Sequence, residues 1–286
     1  MAEYFMKKGS EYHTAQDIYD NRGILLLSKG QKITAEVKNR LERLGKIDLE
    51  MSGDVYDKQK AVLAPNDRQS AVFTPVTKEF VKRMNIRNSR ILEKPNEILI
   101  NIIFESKTKP WWIYVNALSN YIDWLYTHSI DVATISLMMA VELGYSDEEL
   151  INMGIGAFLH DIGKLLIPKS IIQKPGSLTD MEMSLVKQHC ELGMSSLGGF
   201  NLPKECTDIV MQHHERLDGS GYPKGLKGGE ISRNVRIVMI ADAVDAITSG
   251  RPYKLAHEMN EAITILRSDE GKYHQEFITL LEKILE

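Results

Sequence analysis

The chain has 286 residues, a length that suits one or two domains. Hydrophobic residues make up 43% of it and charged residues 26%, an ordinary globular composition that excludes collagen-like and disordered proteins. The formal net charge of -4 gives no basic face of the kind that a nucleic-acid polymer requires. The two cysteines, Cys190 and Cys206, are too few for a disulfide framework.

The expected location follows from what the sequence lacks. No apolar run reaches the roughly 18 residues that a membrane span needs. The first residues, MAEYFMKKGSEYH, contain no apolar segment typical of a secretory signal. We therefore expect a cytoplasmic protein with no membrane span.

The first sixty residues predict a small mixed α/β domain. Turn signals at Gly23 and Gly30 flank a short apolar run at 24–27 that is typical of a strand. Thr34 is placed to cap a helix over about 35–44, and a returning strand is expected at 47–51. We assign 1–60 as a regulatory or interaction domain and 61–109 as a linker and helical connection.

Helical periodicity dominates from residue 110 to the end, so we expect an all-helical domain over 110–286 and a fold that is mainly α. One long helix is predicted over 111–143. Capping boxes at Ser146 with Glu149 and at Thr179 with Glu182 open two more helices. The first of these runs to His160, and the second carries His189. A further helix follows Pro203, and another is expected over 231–248.

Five of the eight histidines fall at or near helix positions from which they can face one cleft: His128, His160, His189, His213 and His214. Asp161 directly follows His160, and neighbouring residues do not share a helix face. Both can reach a metal only if the helix ends there, and Ile162-Gly163 supplies a plausible bend. A lone histidine is more often packed or exposed than a ligand. The joint arrangement, with a Gly-Tyr-Pro turn after the second pair, indicates metal binding.

Three long motifs carry a resemblance to a known family. They are HDIGKLLIPKSIIQKPGSLT at 160–179, HHERLDGSGYPKGLKGGEI at 213–231 and RIVMIADAVDAITSGRPYK at 236–254. The chain from 110 onward resembles the HD-GYP family, a branch of the HD metal-dependent phosphohydrolases. The resemblance implies an all-helical fold, hydrolysis of cyclic di-GMP and a nonhaem metal centre of iron or manganese.

The resemblance also implies a ligand set, with Asp161 as the bridging carboxylate: His128, His160, Asp161, His189, His213, His214 and Asp242. Family members with three metals are similar in carrying a glutamate one turn before the first histidine. Trp124 stands at that place here, so we expect two divalent ions. Iron or manganese is favoured, and zinc stays open. We expect Glu215 to orient an imidazole.

The expected reaction is attack on phosphorus by a hydroxide that bridges two metal ions. Asp161 and Lys164 are the predicted catalytic residues, with linear pGpG as product and GMP as a further one. The predicted substrate contacts are Lys164, Tyr222, Asp245, Arg251 and Lys254. Lys164 is expected to contact phosphate rather than solvent. Asp245 can accept from a guanine edge or orient Lys164, and Tyr222 can touch substrate or hold its loop.

Two alternatives stay open at this point. The substrate can be a mixed cyclic dinucleotide, cGAMP, because a few base contacts separate guanine from adenine. The chain can also be a sensor that binds cyclic di-GMP with little turnover, although a pure receptor needs no water-activating metals. A homodimer is a further expectation, and the sequence does not identify what the first domain senses.

Overall fold

The computed structural model describes residues 77–107, 109–250 and 256–286, together with five short strands within 5–33. The chain divides into two compact units, Met1–Thr74 and Pro75–Glu286. Helices are the main secondary structure among the described residues of the second unit, so the prediction of a mainly α fold is confirmed. No helix among these described residues is long and apolar enough to cross a membrane.

The strands of the first unit are β1 (Phe5–Lys8), β2 (Glu11–Thr14), β3 (Ile18–Tyr19), β4 (Leu25–Leu27) and β5 (Lys32–Ile33). The sheet β1-β2-β5 is antiparallel, with Phe5 opposite Thr14 and Tyr12 opposite Ile33. A second antiparallel pair joins β3 to β4. The strand predicted at 24–27 is therefore observed as β4, whereas the helix predicted at 35–44 and the strand at 47–51 lie outside the described residues.

The second unit begins with α1 (Lys78–Arg83), a 3-10 turn (Ser89–Leu92), α2 (Glu93–Ser106), α3 (Trp112–Tyr121), α4 (Asp123–Glu142) and α5 (Asp147–Leu159). A 3-10 turn (Ile162–Leu166) leads to α6 (Lys169–Ile172), α7 (Asp180–Lys187), α8 (His189–Leu197) and α9 (Lys204–Gln212). The remaining elements are a 3-10 turn (Gly228–Glu230), α10 (Arg233–Thr248), α11 (Met259–Ser268) and α12 (Gln275–Leu285).

Helix α4 lies at the centre of this unit and contacts α2, α3, α5, α10 and α12. Residues 128–140 of this helix are all buried and most of them are apolar, with Val132, Ile135 and Leu137 fully buried. A helix that is hydrophobic all round is stable only when other elements enclose it. Helix α10 is similar, since Ile237, Val238 and Ile240 are also fully buried. These two central helices carry His128 and Asp242 into the interior.

Both predicted capping boxes are confirmed. The Ser146 hydroxyl accepts from the Glu149 backbone N–H while the Glu149 carboxylate accepts from the Ser146 N–H, which starts α5. Thr179 and Glu182 make the same reciprocal pair at the start of α7. Each box satisfies backbone donors that a helix N-terminus leaves without intrahelical acceptors.

Two predicted helices are each interrupted in the structure. The helix expected over 111–143 divides at Ile122, which is extended and buried against Leu118, Leu125 and Ile167. The helix opened by Thr179 ends at Lys187, and His189 begins α8. Tertiary packing of a buried side chain overrides local helical preference at Ile122, and neither break has a glycine or proline to mark it.

Candidate metal centre

Helix α5 ends where the sequence requires it to end. Its last residue is Leu159, after which the chain passes through His160 and Asp161 into the 3-10 turn from Ile162 to Leu166. Both His160 and Asp161 are fully buried. The change of backbone direction brings these neighbours into one cavity, so His160 Nε2 lies 3.4 Å from Asp161 Oδ2. The predicted bend after His160 is therefore confirmed.

The two carboxylate oxygens of Asp161 face different histidines. Oδ1 lies 3.4 Å from His189 Nε2 and 3.8 Å from His213 Nε2. Oδ2 lies 3.5 Å from His128 Nε2, besides the contact with His160. Asp161 thus stands between two sets of imidazoles, with one oxygen toward each.

Asp242 extends from α10 and completes the cluster. Its Oδ1 lies 3.2 Å from His128 Nε2 and 3.9 Å from His160 Nε2, and its Oδ2 lies 3.7 Å from His214 Nδ1. The seven predicted ligands form two groups, and within each group the ligand atoms lie within 4.8 Å of one another. Group one is Asp161, His189, His213 and His214, and group two is His128, His160 and Asp242.

Hydrogen bonds at Nδ1 orient most of the imidazoles. His160 Nδ1 lies 2.6 Å from the Ala157 carbonyl oxygen, and His189 Nδ1 lies 2.6 Å from that of Val186. His213 Nδ1 lies 3.1 Å from the carbonyl oxygens of Ile209 and Val210. A carbonyl only accepts, so each Nδ1 carries the proton and donates it. The neutral ring then directs the lone pair of Nε2 into the cavity, as a metal ligand must.

The charges of the group-one residues also suit a cation. Burial, together with the charge of Lys164, lowers the pKa of His189 to about 4. Burial and the neighbouring His160 hold the pKa of His213 well below its ordinary value. Burial alone would raise the pKa of Asp161, but Lys164 and His160 hold it well below its usual range. Neutral imidazoles and an ionised carboxylate are the protonation states in which these groups bind metals.

Three buried atoms of the cluster have no hydrogen-bond partner among the described residues: His128 Nε2, His160 Nε2 and Asp161 Oδ1. Buried polar atoms are normally paired, so such a set requires an explanation. Donors about 2.1 Å from one ion lie roughly 3 to 3.5 Å from each other. The spacings around Asp161 fall in or just above that range, and the residues therefore fit divalent ions.

Lys164 and Trp124 lie beside the cluster. Lys164 Nζ is 2.5 Å from Asp161 Oδ2, so its ammonium faces the carboxylate between the two groups. Lys164 and Trp124 together line a cavity that Ile171, Lys174 and other residues complete. Trp124 also lines a second cavity, which His128 borders. The indole therefore occupies the wall of the cleft one turn before His128.

Tyr222 packs on the cluster from the loop that follows the histidine pair. Its ring centroid lies 4.8 Å from that of His214, at 31° between the ring planes. Glu215 holds this loop, because its carboxylate accepts from the backbone N–H groups of Lys224 and Leu226 at 2.7 and 2.9 Å. The prediction that Glu215 orients an imidazole is therefore wrong, since its two oxygens receive backbone donors.

Asp245 is buried behind His128. Its Oδ2 lies 2.6 Å from His128 Nδ1, and its Oδ1 lies 2.7 Å from Arg83 Nη1. This placement differs from the predicted contact with a guanine edge or with Lys164, because each oxygen already faces a donor. Arg83 was missed in the sequence, where no motif marks it. Arg251 and Lys254 lie outside the described residues.

An all-helical domain whose buried histidines and aspartates form two adjoining ligand groups defines a metal-dependent class. Residues 113–276 match the family described as HD domain. The chain belongs to the HD domain family, and its His160-Asp161 pair and Gly221-Tyr222-Pro223 turn place it in the HD-GYP branch.

Curated relatives match about half of this chain. The cyclic di-GMP phosphodiesterase response regulator RpfG of Xanthomonas campestris pv. campestris is 43% identical over 47% of this chain and 36% of its own length. A cyclic di-GMP phosphodiesterase of Thermotoga maritima is 41% identical over 56% of this chain and 44% of its own. A 3'3'-cGAMP-specific phosphodiesterase of Vibrio cholerae is 37% identical over 50% and 31%. The matches thus span less than half the length of each relative.

A solved structure supports the fold. An HDG"Y"P protein from Bdellovibrio bacteriovorus aligns over 98% of this chain and 93% of its own, with a TM-score of 0.53. The sequence identity is 17%, so the likeness concerns the fold alone.

Proposed function

We propose that this chain is a phosphodiesterase that hydrolyses cyclic di-GMP to linear pGpG at a pair of divalent metal ions. The single observation that carries the proposal is the position of Asp161, with one oxygen toward each ligand group. A carboxylate so placed is suited to link two ions. Iron or manganese is proposed, because imidazole and carboxylate ligands suit both.

A bound pair of such ions would neutralise negative charge on the phosphate oxygens and would lower the pKa of water, so that hydroxide would be available to attack phosphorus near neutral pH. The residues of this chain position the side chains that would hold those ions. His160, His189 and His213 are held by backbone carbonyls with Nε2 facing inward. Such preorganised groups need no rearrangement during the reaction.

Lys164 and Tyr222 are proposed to meet the substrate. The Lys164 ammonium lies at the cluster and borders the cavity beside Trp124, so it is placed to attract a phosphate oxygen. The Tyr222 ring packs against His214 at the edge of the cluster, where a bound substrate would pass it. Arg251 and Lys254 are retained as proposed phosphate and guanine contacts on the resemblance of their motif.

The substrate proposal draws on the relatives. Two of the three described above are named for cyclic di-GMP, which favours that substrate. The Vibrio cholerae relative, named for 3'3'-cGAMP, keeps the mixed cyclic dinucleotide as the second candidate. The complete ligand set speaks against a sensor without turnover, because a receptor does not require two adjoining groups of metal ligands.

The test is turnover by the full chain, purified anaerobically with iron or manganese. Cyclic di-GMP and 3'3'-cGAMP are supplied separately, and the products are resolved by chromatography. We expect linear pGpG from cyclic di-GMP at the higher kcat/KM. Faster turnover of 3'3'-cGAMP would establish the second candidate, and tight binding of cyclic di-GMP without product would establish the sensor.

The variant Asp161→Asn provides the matched negative control. We expect its kcat to fall at least about 10²-fold, because losing the shared carboxylate weakens both groups and each 1.4 kcal/mol of barrier is tenfold in rate. Asp180→Asn makes the same chemical change at an exposed residue of α7 and should retain activity. Equal activity of the two variants would contradict the assigned role of Asp161.

A further inference from the structure

Arg83 ends α1 and lies outside the residues that match the HD domain. Its guanidinium contacts two central helices. Nη2 lies 2.6 Å from Asp131 Oδ2 on α4, and Nη1 lies 2.7 Å from Asp245 Oδ1 and from Thr248 Oγ1 on α10. The side chain is only 14% exposed. The contact set thus joins α1, α4 and α10 at one buried point.

Asp245 links this guanidinium to the metal cluster. Its carboxylate is 1% exposed, with one oxygen toward Arg83 and the other 2.6 Å from His128 Nδ1. When neutral His128 donates its Nδ1 proton to Asp245, its Nε2 lone pair points toward Asp161 and Asp242. The orientation of His128 therefore depends on where the Asp245 carboxylate is held.

We propose that Arg83 is a positioning residue for the metal ligand His128, which it orients by holding Asp245. This inference rests on the metal centre of the proposed function. Two carboxylates, Asp131 and Asp245, are buried around Arg83, and burying such charges without a cation is costly. The planar guanidinium reaches both carboxylates and a hydroxyl at once, whereas a lysine ammonium is a compact point charge that lacks this fork geometry.

Arg83 should affect only one of the two ligand groups, the group that contains His128. The other imidazoles with assigned Nδ1 contacts, on His160, His189 and His213, use backbone carbonyls that no change at Arg83 removes. His128 uses a side chain that Arg83 holds. Loss of Arg83 should therefore weaken the ion of group two (His128, His160 and Asp242) and leave the ion of group one in place.

The experiment is titration of the metal-free full chain with Mn²⁺, followed by calorimetry and by electron paramagnetic resonance. The wild type should bind two ions and show the signal of a coupled pair. Arg83→Gln should keep one tight ion and bind the second about 10- to 100-fold more weakly, the usual effect of losing an outer partner of a ligand. Its spectrum at one equivalent should be that of isolated Mn²⁺.

Two further variants sharpen the result. Arg83→Lys keeps the charge but loses the fork, so its second ion should also be weakened. Arg267→Gln is the matched control, because Arg267 forms an ion pair with Glu282 on the surface, 2.6 Å away. It should bind both ions as the wild type does. The metal affinities report on the site directly and do not depend on which dinucleotide is hydrolysed.

The other possible results test the role of Arg83 and the metal-dependent function. Two ions bound by Arg83→Gln as tightly as by Arg267→Gln would overturn the proposal. If Arg83→Gln does not fold, the double variant with Asp131→Asn restores the net charge of the buried cluster, and the same two results apply to it. A wild type that binds no Mn²⁺ would overturn the metal-dependent function itself, and with it the role of Arg83.

Discussion

At the scale of single residues, the candidate metal centre depends on which nitrogen of each imidazole faces the cavity. The imidazoles of His160, His189 and His213 each donate one proton to a backbone carbonyl and face the cavity with the other nitrogen. His128 differs, because its Nδ1 partner is the carboxylate of Asp245. This carboxylate partner gives His128 a different response to pH.

His128 should make metal binding depend on pH. Burial alone would lower its pKa, but the nearby carboxylates of Asp242 and Asp245 raise it from 6.5 to about 9 in the metal-free protein. A metal requires the neutral ring, so the ion must displace a proton below about pH 9. The affinity for Mn²⁺, measured by calorimetry from pH 6.5 to 9, should rise with pH. A flat profile would contradict the raised pKa.

The raised pKa of His128 also affects the stability of the metal-free protein. This stability should fall as the pH rises, whereas the affinity for Mn²⁺ should increase. The folded-state pKa of His128 lies above its ordinary value, so its contribution to stability is complete below about pH 6.5 and is lost as the pH rises through 9. The Tm of the metal-free chain should therefore fall over this range. His128→Asn should remove this part of the fall, and an unchanged slope in that variant would assign it to other groups.

The sequence predicted the residue types of this site better than their contacts. His160-Asp161 and His213-His214 are adjacent in the chain and carry the resemblance, so these candidate ligands were recognisable. Arg83 bonds to Thr248, 165 residues away, and to Asp131, 48 residues away. No local pattern encodes such distant pairings. Glu215 was misassigned for a similar reason, because its partners are backbone groups of a loop.

At the scale of secondary-structure elements, the His-Asp turn is fixed by the approach of α8. A Cβ added to Gly163 would lie 1.9 Å from the carbonyl oxygen of His189 and 2.6 Å from the backbone N of Gly193. Backbone atoms cannot move aside as a flexible side chain does. The absence of a side chain at Gly163 therefore allows the turn and α8 to bring Asp161 and His189 together.

Gly163→Ala should consequently destabilise the protein by about 1–3 kcal/mol or more, the usual cost of overpacking. Urea unfolding followed by circular dichroism measures this change. Gly199→Ala is the matched control, since a Cβ there meets no atom within 4 Å. Its effect should stay within about 0.5 kcal/mol. Equal stability of the two variants would contradict the close approach of α8 to the turn.

Element boundaries with local causes were predictable, and those with tertiary causes were not. The capping boxes at Ser146 and Thr179 use residues three positions apart, so the sequence displays them directly. The break at Ile122 follows from packing against Leu118, Leu125 and Ile167. The sequence around it predicted a continued helix, and only the folded arrangement reveals the extended residue.

At the scale of the whole molecule, the helical unit surrounds a cluster of charged and polar groups with an apolar shell. Asp161, His160 and His213 are fully buried among helices that contribute many apolar residues to the core. Buried polar groups without partners reduce stability. Bound ions would provide those partners and bind only the folded chain, so folding and metal binding should be linked.

Metal removal should therefore lower the Tm of the helical unit. Each ion present at 100 times its Kd adds about 2.7 kcal/mol to stability, which corresponds to roughly 5–10 °C per ion for a domain of this size. Differential scanning calorimetry before and after dialysis against a chelator measures the change, and Mn²⁺ should restore the original Tm. Asp161→Asn should show little response, and a wild type equally insensitive to the chelator would contradict the linkage.

The most direct test of the account is an anomalous difference map from crystals of the full chain loaded with Mn²⁺. We predict two peaks about 3.5–4 Å apart, one among His128, His160 and Asp242 and the other among His189, His213 and His214, with Asp161 between them. An empty cleft at saturating Mn²⁺, or ions bound only elsewhere on the molecule, would contradict the proposed binuclear centre.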